Sequence, residues 1–494
     1  MQANTLVVAS NPPCSPLEFY VQVTLPQELP LDEVVHTSRN ADNWGKIFYY
    51  GVVQSLTRST PGSYLARVRI LRIEPELYVP PEPGAPVYRS DPKVQQLALR
   101  FDGMKRRLVA GLMADGQPAY VNLDFLSGVS GAHVNIAGIS GVATKTSYAL
   151  FLLYSLFQST TVETTRAIIF NVKSNDLLHL HHPNARLSHE ARSTYQRLGL
   201  PCQPFSDVGY SGGSAPLWSM REFAEKEYFR FLFSDDEQTD TQEFAIEHIV
   251  DVLKEEAAKT SGPELVVLGQ TIASLKQLCA LISGSMEESD SLWFGKAATN
   301  TRLAIGRRLR GAAAQISSLL SPVPCQGFSY SHQLNVVDLH LYTDKARAFV
   351  VGCILKNLFD GREALGDAHP TVYLVLDELN KYAPRQGYHR IRDMLLDVAE
   401  RGRSLGIVLI GAEQTASAVE ERVVGNSALR VVGRLEAAES QKDCYGWLTE
   451  GLRERAVLLQ PGAMFLSQPE VPVPLAIRFP FPAWATRSSE VAAG

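Results

Sequence analysis

The segment from residue 132 to residue 157 constrains the fold most, because a glycine turn separates two apolar runs of different length. The first run, AHVNIA, is β-prone and ends at Gly138, and the second, SYALFLLYSLF, begins at Ser147. A strand, a glycine turn and a buried helix in this order present free backbone N–H groups and the positive end of the helix dipole at the turn. The segment therefore predicts an anion-binding loop in an α/β domain.

The turn partly matches the phosphate-loop pattern G-x-x-x-x-G-K-[ST]. Lys145 and Thr146 fill the last two places, but Thr144 stands where a glycine is expected and Gly138 lies one residue too far upstream. A glycine turn that precedes a lysine by chance is the alternative, and the strand and helix around the turn favour the nucleotide site. The candidate nucleotide-binding residues are Gly138, Ser140, Gly141, Val142, Ala143, Thr144, Lys145, Thr146 and Ser147.

Two carboxylates far downstream supply the acidic partner that such a site requires. They end the run TVYLVLDE at residues 371–378, whose continuous apolar character is typical of a central parallel strand buried on both faces. We expect Asp377 to hold Mg²⁺ through water, together with Thr146, and Glu378 to polarise the attacking water. Paired carboxylates also occur at exposed strand ends, and the phosphate loop is what favours the nucleotide site here.

Two further polar residues follow predicted strands. Gln414 ends the run GIVLIGAEQ, where a glutamine beside the Asp-Glu strand could sense the γ-phosphate or the attacking water. Arg434 closes ALRVVGRL, and in ring ATPases an arginine that projects into a neighbouring site stabilises transition-state charge. Each residue also has a simpler interpretation, as a polar strand end and as a surface arginine.

Composition excludes several classes of protein. Of the 494 residues 45% are hydrophobic and 20% charged, which is typical of globular proteins, and the net charge of −5 argues against a globally basic nucleic-acid binder. Six cysteines lie far apart without a C-x-x-C pair, which argues against a zinc site or a disulfide framework. No signal peptide is evident and no apolar run reaches the roughly 20 residues of a membrane span, so we expect a cytoplasmic protein.

Hydrophobic patterning divides the rest of the chain into a β-rich N-terminal part and an α/β part. Short β-prone runs between residues 17 and 90 predict a small barrel or sandwich, and from about residue 93 strands alternate with helical patterns, which predicts a parallel α/β sheet. The predicted barrel strands are EFYVQVTL, KIFYYGVVQSL and SYLARVRILRI, and the predicted sheet strands after the loop are RAIIFNV at 166–172, ELVVLG at 264–269, LNVVDL at 334–339, TVYLVLDE at 371–378 and GIVLIGAEQ at 406–414.

The spacing of the site residues predicts an insertion, because Lys145 and Asp377 lie further apart than two βα units reach. The tail PEVPVPLAIRFPFPAW carries too many prolines for a regular helix or central strand, so we expect an extended arm that packs on this subunit or a neighbour. The predicted domains are a β-barrel at 1–92, an α/β core at 93–214 and 331–468, a helical insertion at 215–330 and the arm at 469–494.

The order of these elements resembles the HerA-type ATPases of the HerA/FtsK superfamily. The barrel and the motifs HVNIAGISGVATKTS, VYLVLDELNKYAP, RGRSLGIVLIGAEQ and NSALRVVGRL carry the resemblance, which spans nearly the whole chain. It implies a RecA-like P-loop NTPase core, flanked by helices, behind a HAS-barrel-like domain. It also implies ATP and Mg²⁺ as cofactors, a homo-hexameric ring that translocates double-stranded DNA, and a NurA-type nuclease or an antiviral defence effector as partner.

The same resemblance assigns phosphate binding to Lys145, Mg²⁺ binding to Thr146 and Asp377, base catalysis to Glu378 and γ-phosphate sensing to Gln414. Arg434 is the first candidate for an arginine that acts on a neighbouring subunit, and Arg403 of RGRSLG is the second. Members of the family typically keep a glycine before the lysine, so Thr144 implies slow turnover or an altered nucleotide preference.

Contacts to DNA would be made to phosphates, because a motor must pass any sequence. The candidates are Lys381, Arg385, Arg390 and Arg392 after the Asp-Glu strand, and Arg302, Arg307, Arg308 and Arg310 in the insertion, where a solvated helix face is the simpler interpretation. The histidines of HLHHP lack other ligands at metal-binding spacing, so we expect a polar loop. Residues Asn171, Lys173 and Asp176 follow the next strand and are expected to line the nucleotide crevice.

Three functions remain open at this point. The first is a DNA motor, which Asp377 and Glu378 favour, and the second is a slow nucleotide-binding ring that scaffolds a nuclease or defence effector, which Thr144 favours. The third is a conjugative coupling-type ATPase, which the missing membrane segment disfavours.

Overall fold

A computed structural model describes residues 6–139, 145–173, 176–213, 215–233, 238–259, 261–288, 291–325, 327–387 and 389–492. Five predicted nucleotide-binding residues, Ser140, Gly141, Val142, Ala143 and Thr144, lie outside this part of the chain.

The strands are β1 Leu6–Val8, β2 Glu18–Thr24, β3 Val34–Ala41, β4 Gly45–Thr60, β5 Ser63–Glu74, β6 Pro86–Arg89, β7 Arg107–Leu112, β8 Pro118–Asn122, β9 Val134–Ala137, β10 Thr165–Asn171, β11 Val208–Gly212, β12 Trp218–Ser219, β13 Val266–Val267, β14 Gln270–Thr271, β15 Leu320–Ser321, β16 Leu334–Asp338, β17 Thr371–Asp377, β18 Ile407–Glu413, β19 Leu429–Val432, β20 Ala463–Gln468 and β21 Val471–Arg478. The α-helices are α1 Pro92–Ala98, α2 Lys145–Phe157, α3 His189–Leu198, α4 Met220–Glu225, α5 Asp240–Ala258, α6 Leu275–Gly284, α7 Thr299–Ile316, α8 Asp344–Leu365, α9 Arg390–Arg401, α10 Glu421–Gly425, α11 Ala437–Ser440 and α12 Glu450–Leu458.

The N-terminal strands close into a barrel in the order β1-β2-β5-β4-β3-β6. Alternate residues of β2, among them Phe19, Val21 and Val23, are fully buried in the barrel core. This two-residue period fills the interior, and closure leaves no unpaired strand edge. Of the two predicted β architectures, the barrel is the one that forms.

An 11-stranded sheet forms the core, in the order β11-β16-β10-β17-β18-β9-β19-β20-β21-β7-β8. The strands from β11 to β19 in this order are parallel, and the last four join antiparallel. Every residue of β9, β17 and β18 is buried, because α2 covers one face while α8 and α9 cover the other. The carboxyl ends of the parallel strands therefore meet along one edge of the sheet.

One predicted sheet strand is wrong. The run ELVVLG at 264–269 contains only the two-residue strand β13, which pairs with β14 in a small hairpin outside the main sheet. The chain turns at once, because Leu268 and Gly269 both have positive φ angles, of 51° and 77°. The other four strands predicted after the loop form β10, β16, β17 and β18. Among the described residues between 215 and 330 there are four α-helices, α4 to α7.

The proline-rich tail also differs from its prediction, because it contributes strand β21 to the main sheet. Pro472 and Pro474 lie where β21 has only β20 beside it, since β7 joins at the Arg478–Leu112 pair. Their missing N–H groups therefore interrupt no second ladder. Beyond β21 the tail packs onto the core of the same chain, where Trp484 is fully buried.

The apolar run that follows the predicted phosphate loop forms α2, whose side chains pack against the sheet. In the described ranges, no helix combines the length and apolar character needed to cross a membrane.

Candidate nucleotide-binding site

Lys145 is the first residue of α2 and lies where the start of this helix, the turn at Gly138 and the chain after β19 come close together. Its side chain is only 2% exposed, and Nζ donates a 2.7 Å hydrogen bond to the carbonyl oxygen of Gly138. Burial lowers the pKa of Lys145, while Asp377 opposes that shift. A Cβ atom at Gly138 would lie 3.2 Å from the carbonyl oxygen of Arg434, so a glycine suits this close contact with the chain after β19.

Thr146 and Asp377 meet at the carboxyl edge of the sheet. The Thr146 hydroxyl donates a 3.0 Å hydrogen bond to Oδ2 of Asp377, whose side chain is 7% exposed. The same oxygen accepts from Lys173 Nζ at 2.6 Å. Lys173 follows β10, which lies parallel to β17, so the two strand ends bring Lys173 and Asp377 together.

The donor set at this point fits Mg²⁺ better than a softer metal. A threonine hydroxyl and an aspartate carboxylate are hard oxygen ligands, and Mg²⁺ is commonly held by one or two protein oxygens together with phosphates and water. In the described part of the chain, no group of three or more His, Cys, Asp or Glu side chains could hold a metal ion by itself. In the HLHHP segment, His181 Nδ1 lies 2.8 Å from the Tyr210 hydroxyl.

Glu378 has a left-handed backbone conformation, with φ 59° and ψ 46°. Such a conformation costs about 1–3 kcal/mol for a residue other than glycine and is common at functional sites. Its N–H donates a 2.9 Å hydrogen bond to Asp377 Oδ1, and its carboxylate forms a 2.8 Å ion pair with Lys381. The backbone thus ties the two carboxylates together, and Lys381 holds the second one in place.

Glu413 is a buried carboxylate that the sequence prediction missed. It is the last residue of β18, is fully buried, and neither of its oxygens has a hydrogen-bond partner of good geometry among the described residues. Burial raises the pKa of Glu413 to about 8, and the nearby Asn135 and Lys145 side chains limit the rise. The signal in the sequence was a glutamate inside an otherwise apolar strand. The neighbouring Gln414, the predicted sensor residue, is exposed.

A cavity of about 670 Å³ opens beside Thr146, Lys173 and Asp377. The predicted crevice residues Asn171, Lys173 and Asp176 all line it. Its far wall comes from the C-terminal tail, where Arg487 forms a 2.9 Å ion pair with Asp176. The cavity therefore combines apolar walls with charged groups, as small-molecule sites commonly do.

Comparisons with known proteins agree with this architecture. No family model and no curated protein matches the sequence. Among solved structures, VirB4 of Thermoanaerobacter pseudethanolicus gives a TM-score of 0.50 at 15% identity, covering 78% of this chain and 98% of VirB4. The bacterial conjugative coupling protein TrwBdeltaN70, in a trigonal form with sulphate, gives a TM-score of 0.51 at 13% identity, covering 80% of this chain and 95% of TrwBdeltaN70. TrwB with a non-hydrolysable ATP analogue, ADPNP, gives a TM-score of 0.50 at 14% identity, with the same coverage of both chains.

The chain has a RecA-like P-loop NTPase fold. The predicted fold class, a RecA-like core behind a small N-terminal barrel, is confirmed.

The two candidate arginines lie at different edges of the RecA-like core. Arg434 follows β19, where its carbonyl oxygen accepts from Ile139 N at 2.8 Å and its exposed side chain bonds to the Val457 carbonyl oxygen. Arg403 lies just before β18, at the opposite edge, and donates to the carbonyl oxygen of Gly128 at 2.7 Å. Arg403 is therefore at the edge of the sheet opposite to Thr146 and Asp377 of the same chain.

The candidate DNA-binding arginines of the RecA-like core and its insertion include both buried and exposed side chains. Arg390 is largely buried, with a 2.8 Å ion pair to Glu243, whereas Arg385 pairs with Glu421 on the surface. In the insertion, Arg307 and Arg310 are exposed and Arg308 bonds to Gln242 at 3.1 Å. Arg302 is buried and donates to three backbone carbonyl groups, those of Glu288, Gly295 and Ala297. It supports its own loop and offers nothing to a DNA backbone.

Proposed function

We propose that this protein is an ATPase that moves double-stranded DNA through a homo-hexameric ring. One observation carries the proposal: a buried lysine at a helix N-terminus, a threonine hydroxyl and two consecutive carboxylates converge at the carboxyl edge of a RecA-like parallel sheet. The fold likeness to a conjugative coupling protein and to VirB4 supports it. A NurA-type nuclease or a defence effector is the proposed partner.

Each side chain has a proposed part in ATP hydrolysis. Lys145 leaves the Gly138 carbonyl oxygen and binds the β- and γ-phosphates, while Thr146 and Asp377 hold Mg²⁺. Bound Mg²⁺ neutralises phosphate charge and orients the transferred group. Glu378 orients and polarises the attacking water, which requires its carboxylate to leave Lys381. Gln414, exposed at the end of β18, senses the γ-phosphate, and Arg434 or Arg403 of a neighbouring subunit stabilises the transition state.

A second function, a slow nucleotide-binding ring that scaffolds an effector, has one observation in its favour. Lys145 is almost wholly buried and bonded to Gly138, and Thr144 replaces the glycine that would give the loop freedom to open. Slow release of Lys145 would give binding with little turnover.

The deciding experiment measures ATP turnover by the full chain with and without linear duplex DNA, at low and moderate salt. We expect DNA to raise turnover, and Lys145→Ala and Glu378→Gln to abolish it. Lys254→Ala is the matched control, because Lys254 is an exposed, ion-paired lysine on α5, outside the site. If nucleotide binds but turnover stays negligible with or without DNA, the scaffold replaces the motor.

A further inference from the structure

Lys173 is a second lysine at the site, and it belongs to no phosphate-loop motif. It follows β10 at the carboxyl edge of the sheet, and its side chain is 42% exposed, whereas Lys145 is 2% exposed. It lines the cavity beside Thr146 and Asp377, whereas Lys145 does not. The two lysines therefore reach the phosphate region from different sides.

The contact of Lys173 occupies the oxygen that faces the proposed metal. Oδ2 of Asp377 accepts from Thr146 at 3.0 Å and from Lys173 at 2.6 Å, so the ammonium group lies beside the pair that would hold Mg²⁺. Asp377 is almost wholly buried, and a buried carboxylate needs a counter-charge. In the ligand-free chain Lys173 supplies that charge, and an incoming Mg²⁺ would replace it.

We propose that Lys173 is a γ-phosphate-binding residue, which holds Asp377 before the nucleotide binds and moves to the terminal phosphate once Mg²⁺ takes over Asp377. This inference rests on the proposed nucleotide site. The terminal phosphate is the group that reacts, so in the proposed site it would lie near the Mg²⁺ ligands and Glu378, and Lys173 contacts one of these ligands directly. ADP lacks this phosphate, so Lys173 would distinguish ATP from ADP.

The Lys173 side chain is mobile enough to move from Asp377 to the terminal phosphate. Lys173 is partly exposed and has four rotatable bonds, and Mg²⁺ would replace its charge at the buried Asp377, so its ammonium group can leave. A phosphate offers a stronger, doubly charged acceptor within the same cavity. Lys145 approaches from the other side, where its ammonium group lies beside Gly138, so Lys173 would add a separate contact to the terminal phosphate.

The test compares equilibrium binding of fluorescent ATPγS and ADP to the full chain at saturating Mg²⁺. We expect Lys173→Met to weaken ATPγS binding about tenfold, the value of one charge-assisted hydrogen bond, while ADP binding changes less than about twofold. Lys173→Arg should keep most of the preference for ATPγS. Lys254→Met is the control, since Lys254 also forms a 2.6 Å ion pair but lies outside the site.

The outcomes separate this inference from the proposed function. If wild-type chain binds both nucleotides and Lys145→Ala abolishes binding, the nucleotide site stands. An equal loss of ATPγS and ADP in Lys173→Met, or no loss at all, then overturns the inference alone. If wild-type chain binds neither nucleotide, both the inference and the proposed function fail.

Discussion

Thr146 and Asp377 are 231 positions apart in the chain, and the hydroxyl of the first donates a 3.0 Å hydrogen bond to the carboxylate of the second. The contact joins the N-terminus of α2 to the end of β17. The strand that precedes α2 is β9, which is separated from β17 in the sheet by β18. A metal held by this pair would be fixed by two rigid elements, which is how reacting groups are positioned with little freedom to move.

Asp377→Asn should remove metal-dependent turnover while leaving the fold intact. An amide keeps the shape and can still accept from Thr146, but it lacks the charge that binds Mg²⁺. We expect ATP turnover to fall at least about 100-fold, since metal stabilisation of the transition state is worth several kcal/mol. Thermal unfolding should stay close to wild type. Asp344→Asn serves as the control, because Asp344 is an exposed carboxylate on α8, and it should keep full turnover. Normal turnover by Asp377→Asn would remove Asp377 from the metal site.

Glu413 should make stability fall as pH rises. Burial raises its pKa from 4.5 to about 8, so the folded chain keeps this proton across that window while the unfolded chain loses it. Because the unfolded state then binds fewer protons, the free energy of unfolding decreases as pH rises from about 4.5 to 8, by a few kcal/mol in total.

Glu413→Gln removes this titration, so its melting temperature relative to wild type should increase between pH 5 and pH 8. The measurement is thermal unfolding of both chains across this range. Glu264→Gln, at an exposed position, is the control and should show no such trend. A constant difference between Glu413→Gln and wild type would show that Glu413 is ionised in the folded chain.

If Arg434 acts on the site of a neighbouring subunit, mixing two inactive variants should restore ATP turnover. Arg434→Ala and Glu378→Gln should each have little ATP turnover alone, because one lacks the arginine and the other the base. In a mixed ring some sites combine an intact base with an intact neighbouring arginine, so turnover should reappear. Arg403→Ala is tested in the same way. Arg430→Ala, which removes a β19 arginine bonded to the Gly425 carbonyl oxygen, should keep its turnover. Mixtures as inactive as their components would contradict action in trans.

Lys381 and Arg385 offer the clearest test of coupling to DNA. Lys381 pairs with Glu378 at 2.8 Å, so a DNA phosphate that attracts Lys381 would release the carboxylate of Glu378, the proposed catalytic base. The double variant Lys381→Ala/Arg385→Ala should therefore lose most of the stimulation by duplex DNA, and its basal turnover should equal or exceed that of wild type, because Lys381 no longer holds Glu378. The comparison is with Arg307→Ala/Arg310→Ala, which removes two exposed arginines of the insertion. Full stimulation of the Lys381 and Arg385 variant would exclude this loop from the DNA contact.

The C-terminal tail should be essential to stability. Trp484 is fully buried, with its ring 4.9 Å from that of Tyr154 on α2 and 4.7 Å from that of Phe205. Trp484→Ala should lower the free energy of unfolding by about 3–5 kcal/mol. Trp44→Ala removes a side chain that is 62% exposed and should change stability by less than about 0.5 kcal/mol. Equal melting temperatures for Trp484→Ala and wild type would show that the tail does not stabilise the core.

Local patterning predicted the parts of the fold that depend on local physics. Continuous apolar runs such as TVYLVLDE became buried parallel strands, and the barrel runs EFYVQVTL and SYLARVRILRI largely alternate with the two-residue period of a strand. The run ELVVLG failed because a short apolar segment has the same pattern in a hairpin as in a sheet, and only the positive φ angles at its end distinguish them. The tail failed because a proline is tolerated wherever a strand lacks a second neighbour, which the sequence does not record.

By itself the sequence determined the strand–turn–helix that carries Lys145 and Thr146, and the apolar strand that ends in Asp377 and Glu378, because both follow from spacing along a short segment. Only the tertiary structure decided that Lys173 contacts Asp377, that Glu413 is buried without a good partner, and that the tail forms one wall of the cavity. The physical reason is the crossover topology of the sheet. It brings together strand ends that are distant in sequence, and burial and charge pairing depend on those neighbours alone.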